Sequence, residues 1–172
     1  MQHRTNSREK PPGRSWPGLA LCMSMVVGAL AFGSMPGQAA MHLLPVDDLA
    51  KQADTIVIGT VQQQESAWDA RHTGIHTDVV LAVERVLAGT PGERVTLRVE
   101  GGIVGGMGMR TSNDATFTTA ERVLVLLDTS VVPSRLVGLQ QGKFTVQDQV
   151  VTRMEKTWEL DALIEQLRAA RR

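Results

Sequence analysis

The sequence predicts a mainly β protein, built as a small antiparallel barrel of five to seven strands with a short helix before it and an amphipathic helix after it. Three observations lead to this fold class. Short apolar segments with strand character follow one another in series. Segments with helical periodicity lie mainly at the two ends of that series. Glycines interrupt several strand segments, as the sharp coiling of small barrels requires.

The first predicted elements are a short helix and a buried strand. Residues 45–53 begin with Pro45 and carry two acidic residues in the first turn, which favours a helix start. Residues 55–61 are apolar and β-branched, so we expect a strand buried on both faces. Gly59 inside this strand indicates a bulge or a close backbone approach. The helix residues expected to face a core are Leu49, Ala50 and Ala53.

The next segments predict a meander of antiparallel strands. Residues 62–74 are polar and predict a long hairpin loop, and residues 75–87 predict a long strand. Residues 94–100 alternate between apolar and polar side chains, which is typical of a strand with one buried face. Together with residues 55–61, these strands resemble the opening of an OB-type barrel.

The second half of the chain predicts shorter strands and a final helix. The glycine-rich residues 101–108 indicate a bulged strand or hairpin. Residues 122–128 are apolar on both faces, so we expect a central strand. Three shorter strands are predicted at 136–139, 143–147 and 150–153. The apolar stripe of the last helix consists of Leu160, Leu163, Ile164 and Leu167.

The first forty residues are typical of a secretory signal peptide. A basic start precedes an uncharged apolar run over residues 19–32, and small residues follow it. The run is shorter than the roughly 20 residues of a spanning helix, so we expect cleavage near Ala39 or Ala40. The predicted organisation is a signal peptide at 1–40, a β-barrel domain at 41–156 and a C-terminal helix at 157–172, packed on the barrel or forming a short appendage. This predicts a periplasmic or extracellular protein with no stable membrane span after cleavage.

Charge and cysteine content exclude several classes of function. The 172 residues include 18 basic and 18 acidic side chains, and residues 1–40 hold four of the former and one of the latter. The remainder therefore carries a net charge of −3, which gives no support to nucleic-acid binding. The single cysteine, Cys22, lies in the leader. The exported domain would then be free of cysteine, which excludes disulfides and multi-cysteine zinc sites.

The sequence has no signature of a catalytic site. It contains neither G-x-S-x-G nor H-E-x-x-H, and no cysteine remains as a nucleophile after the leader is removed. Asp47 and Asp48 are adjacent on the predicted helix, so their side chains point apart. The glycines of residues 101–108 match neither GxGxxG nor a Walker motif. We therefore expect a protein without enzymatic activity.

The segments ADTIVIGTV at 53–61 and VERVLAG at 83–89 resemble the first strands of netrin-like modules, the group that includes the tissue inhibitors of metalloproteinases. The chain is more closely similar to a loose set of uncharacterised secreted bacterial proteins, through VEGGIVGGMGMR at 99–110, ERVLVLLD at 121–128 and VGLQQGKFTV at 137–146. The resemblance implies an OB-like barrel but no activity. The inhibitors chelate zinc through an N-terminal cysteine and are stapled by disulfides, so their mechanism does not carry over to a cysteine-free domain.

Histidines offer two candidate metal sites. His72 and His76 lie near two aspartates, and imidazole and carboxylate suit zinc or copper. Their spacing matches no known motif, and a solvated loop leading into a strand is the alternative interpretation. Cleavage after Ala39 would place His42 third in the exported chain, where amine, amides and imidazole can surround Cu(II) in a square plane. The alternative there is a disordered terminus, and we expect no required cofactor.

The candidate binding surface combines a predicted loop with the glycine-rich segment. Trp68 lies between two predicted strands, and Gly105, Gly106 and Arg110 lie in or beside the glycines. Loops on a barrel commonly carry recognition. The expected function is therefore an exported, non-catalytic binding or accessory module whose partner is another exported protein. The alternatives are a metalloprotease inhibitor or protease-associated protein, and a periplasmic metal-binding protein.

Overall fold

The computed structural model describes residues 43–172, so the predicted leader and His42 lie outside the described part of the chain. The helices are α1 (Val46–Gln52) and α2 (Leu160–Ala170), and a short 3-10 helix spans Leu139–Gly142. The strands, in chain order, are β1 (Thr55–Trp68), β2 (Ile75–Ala88), β3 (Arg94–Glu100), β4 (Gly102–Val104), β5 (Met107–Met109), β6 (Arg122–Asp128), β7 (Arg135–Leu136), β8 (Lys143–Gln147), β9 (Val150–Arg153) and β10 (Lys156–Glu159).

Eight strands form one antiparallel sheet in the order β10-β9-β8-β6-β1-β2-β3, and β7 pairs with β6 beside that path. The predicted mainly antiparallel β class is confirmed. The sheet does not close into a continuous barrel, because β3 and the β7 region are joined only by a parallel bridge between Leu97 and Ser134. Two hydrogen bonds make this bridge, from Arg98 N to Ser134 O at 2.8 Å and from Ser134 N to Thr96 O at 3.2 Å.

The polar segment after residue 61 is strand, and the predicted long loop over 62–74 is wrong. β1 continues to Trp68 and stays paired with β2, from Gln63 opposite Val80 to Trp68 opposite Ile75. Only residues 69–74 form the loop. The polar composition misled the prediction because this half of β1 is largely exposed, so its strand conformation rests on the hydrogen-bond ladder and not on burial.

The sheet packs two hydrophobic clusters against its two faces. Strand β1 contributes to both, since Ile56 and Ile58 belong to one cluster and Val57 and Val61 to the other. The helix-side cluster adds α1, α2 and the strands β6, β8 and β9. The inner cluster, on the opposite face, adds β2 and β3. Its buried members are Val57, Val61, Val79, Leu81, Val95, Leu97, Val99, Ala115, Phe117, Val123, Val125, Leu127 and Leu136.

Both predicted helices are present, although the C-terminal helix begins at Leu160 and not at residue 157, because residues 157–159 belong to β10. Helix α1 buries Leu49, Ala50 and the following Ala53 as expected. Helix α2 buries the whole predicted stripe of Leu160, Leu163, Ile164 and Leu167. Its N-cap is Glu159, whose carboxylate accepts a hydrogen bond from Ala162 N at 2.8 Å. Within residues 43–172, no helix has the length and apolarity that a membrane crossing needs.

The C-terminal strands differ from prediction in two places. The strand expected at 136–139 is wrong beyond residue 136, because Gly138 has a positive φ of 69° and the chain enters the 3-10 helix. The strands at 143–147 and 150–153 are confirmed as β8 and β9. The sequence analysis did not predict β10, which is four residues long and has Trp158 as its one apolar side chain. It forms a hairpin with β9 at the edge of the sheet.

Candidate functional site

The glycine-rich segment forms a tight hairpin, as predicted. Strands β4 and β5 pair with Val104 opposite Met107, so Gly105 and Gly106 alone make the turn. Both have a positive φ, of 59° and 82°. A two-residue turn of this kind needs positive φ at both positions, which glycine supplies without strain. These glycines therefore serve chain reversal.

The base of the hairpin is fixed to the outer halves of β1 and β2. Thr77 Oγ1 donates to Gly101 O at 2.7 Å, and Gly101 N donates to Ile75 O at 2.7 Å. The hydroxyls of Ser66 and Thr77 lie 2.8 Å apart, within hydrogen-bond distance. A side chain on Gly102 would collide with both hydroxyls. The hairpin therefore projects from an anchored base and lies close against β1.

A groove of about 370 Å³ lies between this base, the end of β3 and residues 110–117. Val99, Ala115 and Phe117 give it an apolar floor from the inner cluster. Ile103 lies at its edge with 72% of its residue surface exposed, and it also lines an adjoining depression on the same surface. The groove therefore offers apolar contact surface that the described residues leave uncovered.

The charged residues of the groove are few and nearly balanced. Glu100 and Asp114 line it together with Arg110, which leaves one negative charge in excess. Asp114 Oδ2 accepts a hydrogen bond from Thr111 Oγ1 at 2.5 Å, which holds the carboxylate toward its own segment. The lining is thus suited to apolar side chains with a weak preference for a basic neighbour.

The irregular segment 110–121 is held in place by a partly buried ion pair. Lys143 Nζ lies 2.7 Å from Glu121 Oε1, and it donates to Thr116 O at 2.5 Å. The same ammonium group lies 4.6 Å from the centre of the Phe117 ring. Glu121 also accepts from Thr145 Oγ1 at 2.9 Å. These contacts preorganise the wall of the groove, although the segment has no regular secondary structure.

The structure brings part of the predicted binding surface into the groove. Arg110 lines it, but Trp68 and the turn glycines Gly105 and Gly106 do not. Trp68 ends β1 as a half-buried side chain and stacks on His72, with ring centres 6.0 Å apart and planes at 21°. The sequence analysis did not select Ile103 as a binding residue. Its only indication in the sequence is an apolar side chain in a glycine-rich segment.

The histidine cluster predicted as a metal site does not assemble. Among residues 43–172, no group of three or more His, Cys, Asp or Glu is placed to hold a metal. His72 lies in the loop with a φ of 54°, and His76 lies on β2 opposite Ala67 and Glu100. Asp69 is engaged within the loop, since hydrogen bonds from Thr73 lower the pKa of its carboxyl group. The proposed copper site at His42 lies outside the described residues.

No protein-family model matches the sequence, and a comparison with curated proteins finds no match either.

Proposed function

We propose that the protein is an exported, non-catalytic module that binds an apolar segment of another exported protein. The observation that carries this proposal is the groove beside the hairpin, with its apolar floor and the exposed Ile103 at its edge. Exposed apolar surface beside a preformed concavity marks interaction sites on soluble proteins. The contacts of Lys143 and Glu121 support a rigid wall, which lowers the entropic cost of binding.

We also infer that the domain is an OB-like barrel. Strands β1, β2, β3, β7 and β6 follow one another almost as a ring, since β3 is bridged at Ser134 and β7 pairs with β6, which returns to β1. Known OB-folds are themselves partly open barrels of five strands. In such barrels recognition uses the barrel surface and its connecting loops, and the hairpin belongs to such a connection here.

A protein partner suits the groove better than a nucleic acid. The lining carries no excess of positive charge, which binding to phosphates requires. Phe117 is the one aromatic residue of the lining, so it offers no series of rings on which bases would stack. The floor of the groove is apolar, as is typical of the centre of protein interfaces.

The test compares two substitutions on the hairpin. Ile103→Asp places a charge at the edge of the groove, whereas Met107→Asp places one at a residue of similar exposure that does not line it. Envelope extract is passed over immobilised wild-type protein and each variant, and bound proteins are quantified by mass spectrometry. We expect Ile103→Asp to lower capture of the specific partner roughly 30-fold or more, as loss of an apolar anchor does, and Met107→Asp to retain it.

Two results would count against this proposal. Equal capture by both variants would show that the groove is not the binding surface. Slowing of a metalloprotease by the wild type and by Ile103→Asp alike would favour the inhibitor alternative through another surface. Circular dichroism of both variants checks that each is folded.

A further inference from the structure

Arg153 is a charged side chain inside the helix-side layer of the protein. It ends β9, and only 2% of its surface is exposed. It lines a second groove, of about 320 Å³, together with Lys156, Trp158, Asp47 and residues 43–46. This groove is formed by the β9–β10 hairpin, the beginning of α1 with the residues before it, and Gln166 of α2. Its lining has no residue in common with the hairpin groove described above.

The guanidinium group is only partly satisfied. Arg153 Nη2 donates to Leu44 O at 3.0 Å, whereas Nε and Nη1 are buried and have no hydrogen-bond partner. No ion pair joins Arg153 to a carboxylate within residues 43–172. The rings of Phe144 and Trp158 lie 5.2 Å and 5.6 Å from its Cζ atom. These rings attract the cation, but they do not replace hydrogen bonds to its remaining N–H groups.

A second positive charge lies beside the first. The register of the β9–β10 hairpin places Lys156 directly opposite Arg153, so the two side chains leave the same face of the sheet. Like charges opposite one another destabilise a strand pair. Lys156 is exposed and lines the groove, and no ion pair within the described residues involves it. Two adjacent cations, one buried with free donors, favour an anion between them.

We propose that this groove binds a small ligand that carries a carboxylate on an apolar body. The two free nitrogens, Nε and Nη1, lie on different edges of the planar guanidinium group, so a carboxylate can accept a charge-assisted hydrogen bond from one of them while Nη2 keeps its bond to Leu44 O. Lys156 supplies the second charge at the groove mouth, and Trp158 and Leu43 supply apolar walls. The two free nitrogens are covered, so entry of the ligand requires residues 43–46 to move outward.

The carboxylate of Asp47 disfavours the binding of an anionic ligand in this groove. This carboxylate lines the same groove and accepts a hydrogen bond from Gln166 Nε2 at 2.8 Å. A negative charge at this position repels an anionic ligand. The neutral variant Asp47→Asn keeps the acceptor oxygen for Gln166 and removes the repulsion, so it is expected to strengthen binding.

The experiment titrates isotope-labelled protein, produced from the full-length sequence, with benzoate and with benzamide, its neutral analogue. The reporters are the NMR signals of Arg153 Nε–H and the Trp158 indole N–H. We expect benzoate to shift both signals to saturation and benzamide to leave them unchanged. Lys156→Gln should weaken benzoate binding roughly two- to fivefold, as expected for an exposed charge, and Asp47→Asn should tighten it by a similar factor.

The conservative variant Arg153→Lys keeps the charge and removes the planar set of N–H donors, so it should weaken binding roughly tenfold or more. Lys156→Gln and Asp47→Asn alter partly or fully exposed side chains, so they keep the test valid if Arg153 variants fail to fold. Equal shifts with benzamide, no saturable shift with benzoate, or benzoate affinity unchanged in both Lys156→Gln and Asp47→Asn would overturn the proposal. The site is independent of the partner-binding groove, so loss of capture in Ile103→Asp does not bear on it.

Discussion

The two halves of the main sheet bury their side chains differently. Strand β6 and residues 55–61 of β1 form one half, and in both the apolar residues of each face are buried, one face by the helices and the other by the inner cluster. Strands β2 and β3 form the other half. In these strands, Val79 and Leu97 face the inner cluster, whereas Asp78 and Arg98 on the opposite face remain partly exposed.

The helices account for this difference. Helices α1 and α2 pack against one another and share a cluster with β6, β8 and β9 and the start of β1, and β2 and β3 contribute to that cluster only through the end of β2, at Leu87 and Ala88. The far end of α2 is tied to α1, since Arg171 Nη1 donates to the carbonyl oxygens of Ala50 and Ala53. A sheet face without such a cover must be polar, and an ion pair replaces the apolar contacts there.

The largest expected effect is on the face of the sheet that the helices cover. Phe144 on β8 is 0% exposed, and its ring lies edge-on to Trp158 with centres 5.8 Å apart. Phe144→Ala removes a large side chain from a closed site, so we expect it to lower the free energy of unfolding by about 3–5 kcal/mol. Urea denaturation followed by far-UV circular dichroism measures this change.

The matched control is a phenylalanine of the inner cluster. Phe117 is 9% exposed and lines the open groove, so Phe117→Ala leaves a space that water can enter. We expect a smaller loss, of about 1–3 kcal/mol. If the two variants lose equal stability, the helix-covered half does not carry the greater share of the packing energy.

The next effect concerns the boundary between the two halves. At Gly59 the β1–β2 register shifts, and a Cβ placed there would strike the carbonyl oxygen of Ala82. Gly59→Ala must therefore push β2 away from β1, and we expect a loss of about 1–3 kcal/mol in chemical denaturation. The control Gly108→Ala meets nothing closer than Ile103 Cγ1 at 3.8 Å, so its expected change is within about 0.5 kcal/mol. Equal stability of the two variants would contradict a close approach at Gly59.

The contrast between the halves also explains what the sequence predicts. Continuous apolar runs at 55–61 and 122–128 predicted double burial, and alternation at 94–100 predicted single burial; all three are confirmed. Gly59 was expected to mark a bulge or close approach, and the register shift confirms it. These signals are local, because they depend on the side chains of one strand alone.

The remaining features depend on contacts between distant segments. The polar half of β1 is strand only because β2 supplies its hydrogen bonds, and composition carries no record of that pairing. The groove needs Ile103 and Phe117 to line the same concavity, although they are fourteen positions apart in the sequence. Arg153 ends an ordinary short strand in sequence, and its burial follows from α1 and the β10 hairpin folding over it. No periodicity or motif in the sequence predicts that the charged side chain of Arg153 is buried.

The smallest expected effect tests the polar face of β2 and β3. Arg98 Nε and Nη2 donate to the two carboxylate oxygens of Asp78 at 2.6 Å and 2.7 Å, and each side chain is 31% exposed. The hydrogen bonds from Arg98 lower the pKa of Asp78 below its ordinary value of 3.8. Because the pair is partly solvated, we expect Asp78→Asn to cost about 0.5–1 kcal/mol at neutral pH.

The pH dependence separates this ion pair from simple packing. A carboxyl group whose pKa is lower in the folded state contributes its full stability above the unfolded pKa, near 3.8. That contribution disappears as the pH falls through the lower folded pKa, since folded and unfolded states then bind the same number of protons. The unfolding free energies of wild type and Asp78→Asn, measured in urea from pH 7 to pH 2, should therefore converge in acid. High salt at pH 7 should narrow the difference as well. If the difference in unfolding free energy between wild type and Asp78→Asn stays constant over this range, contacts other than the ion pair stabilise the open half. The contrast with the helix-covered half would then concern packing alone.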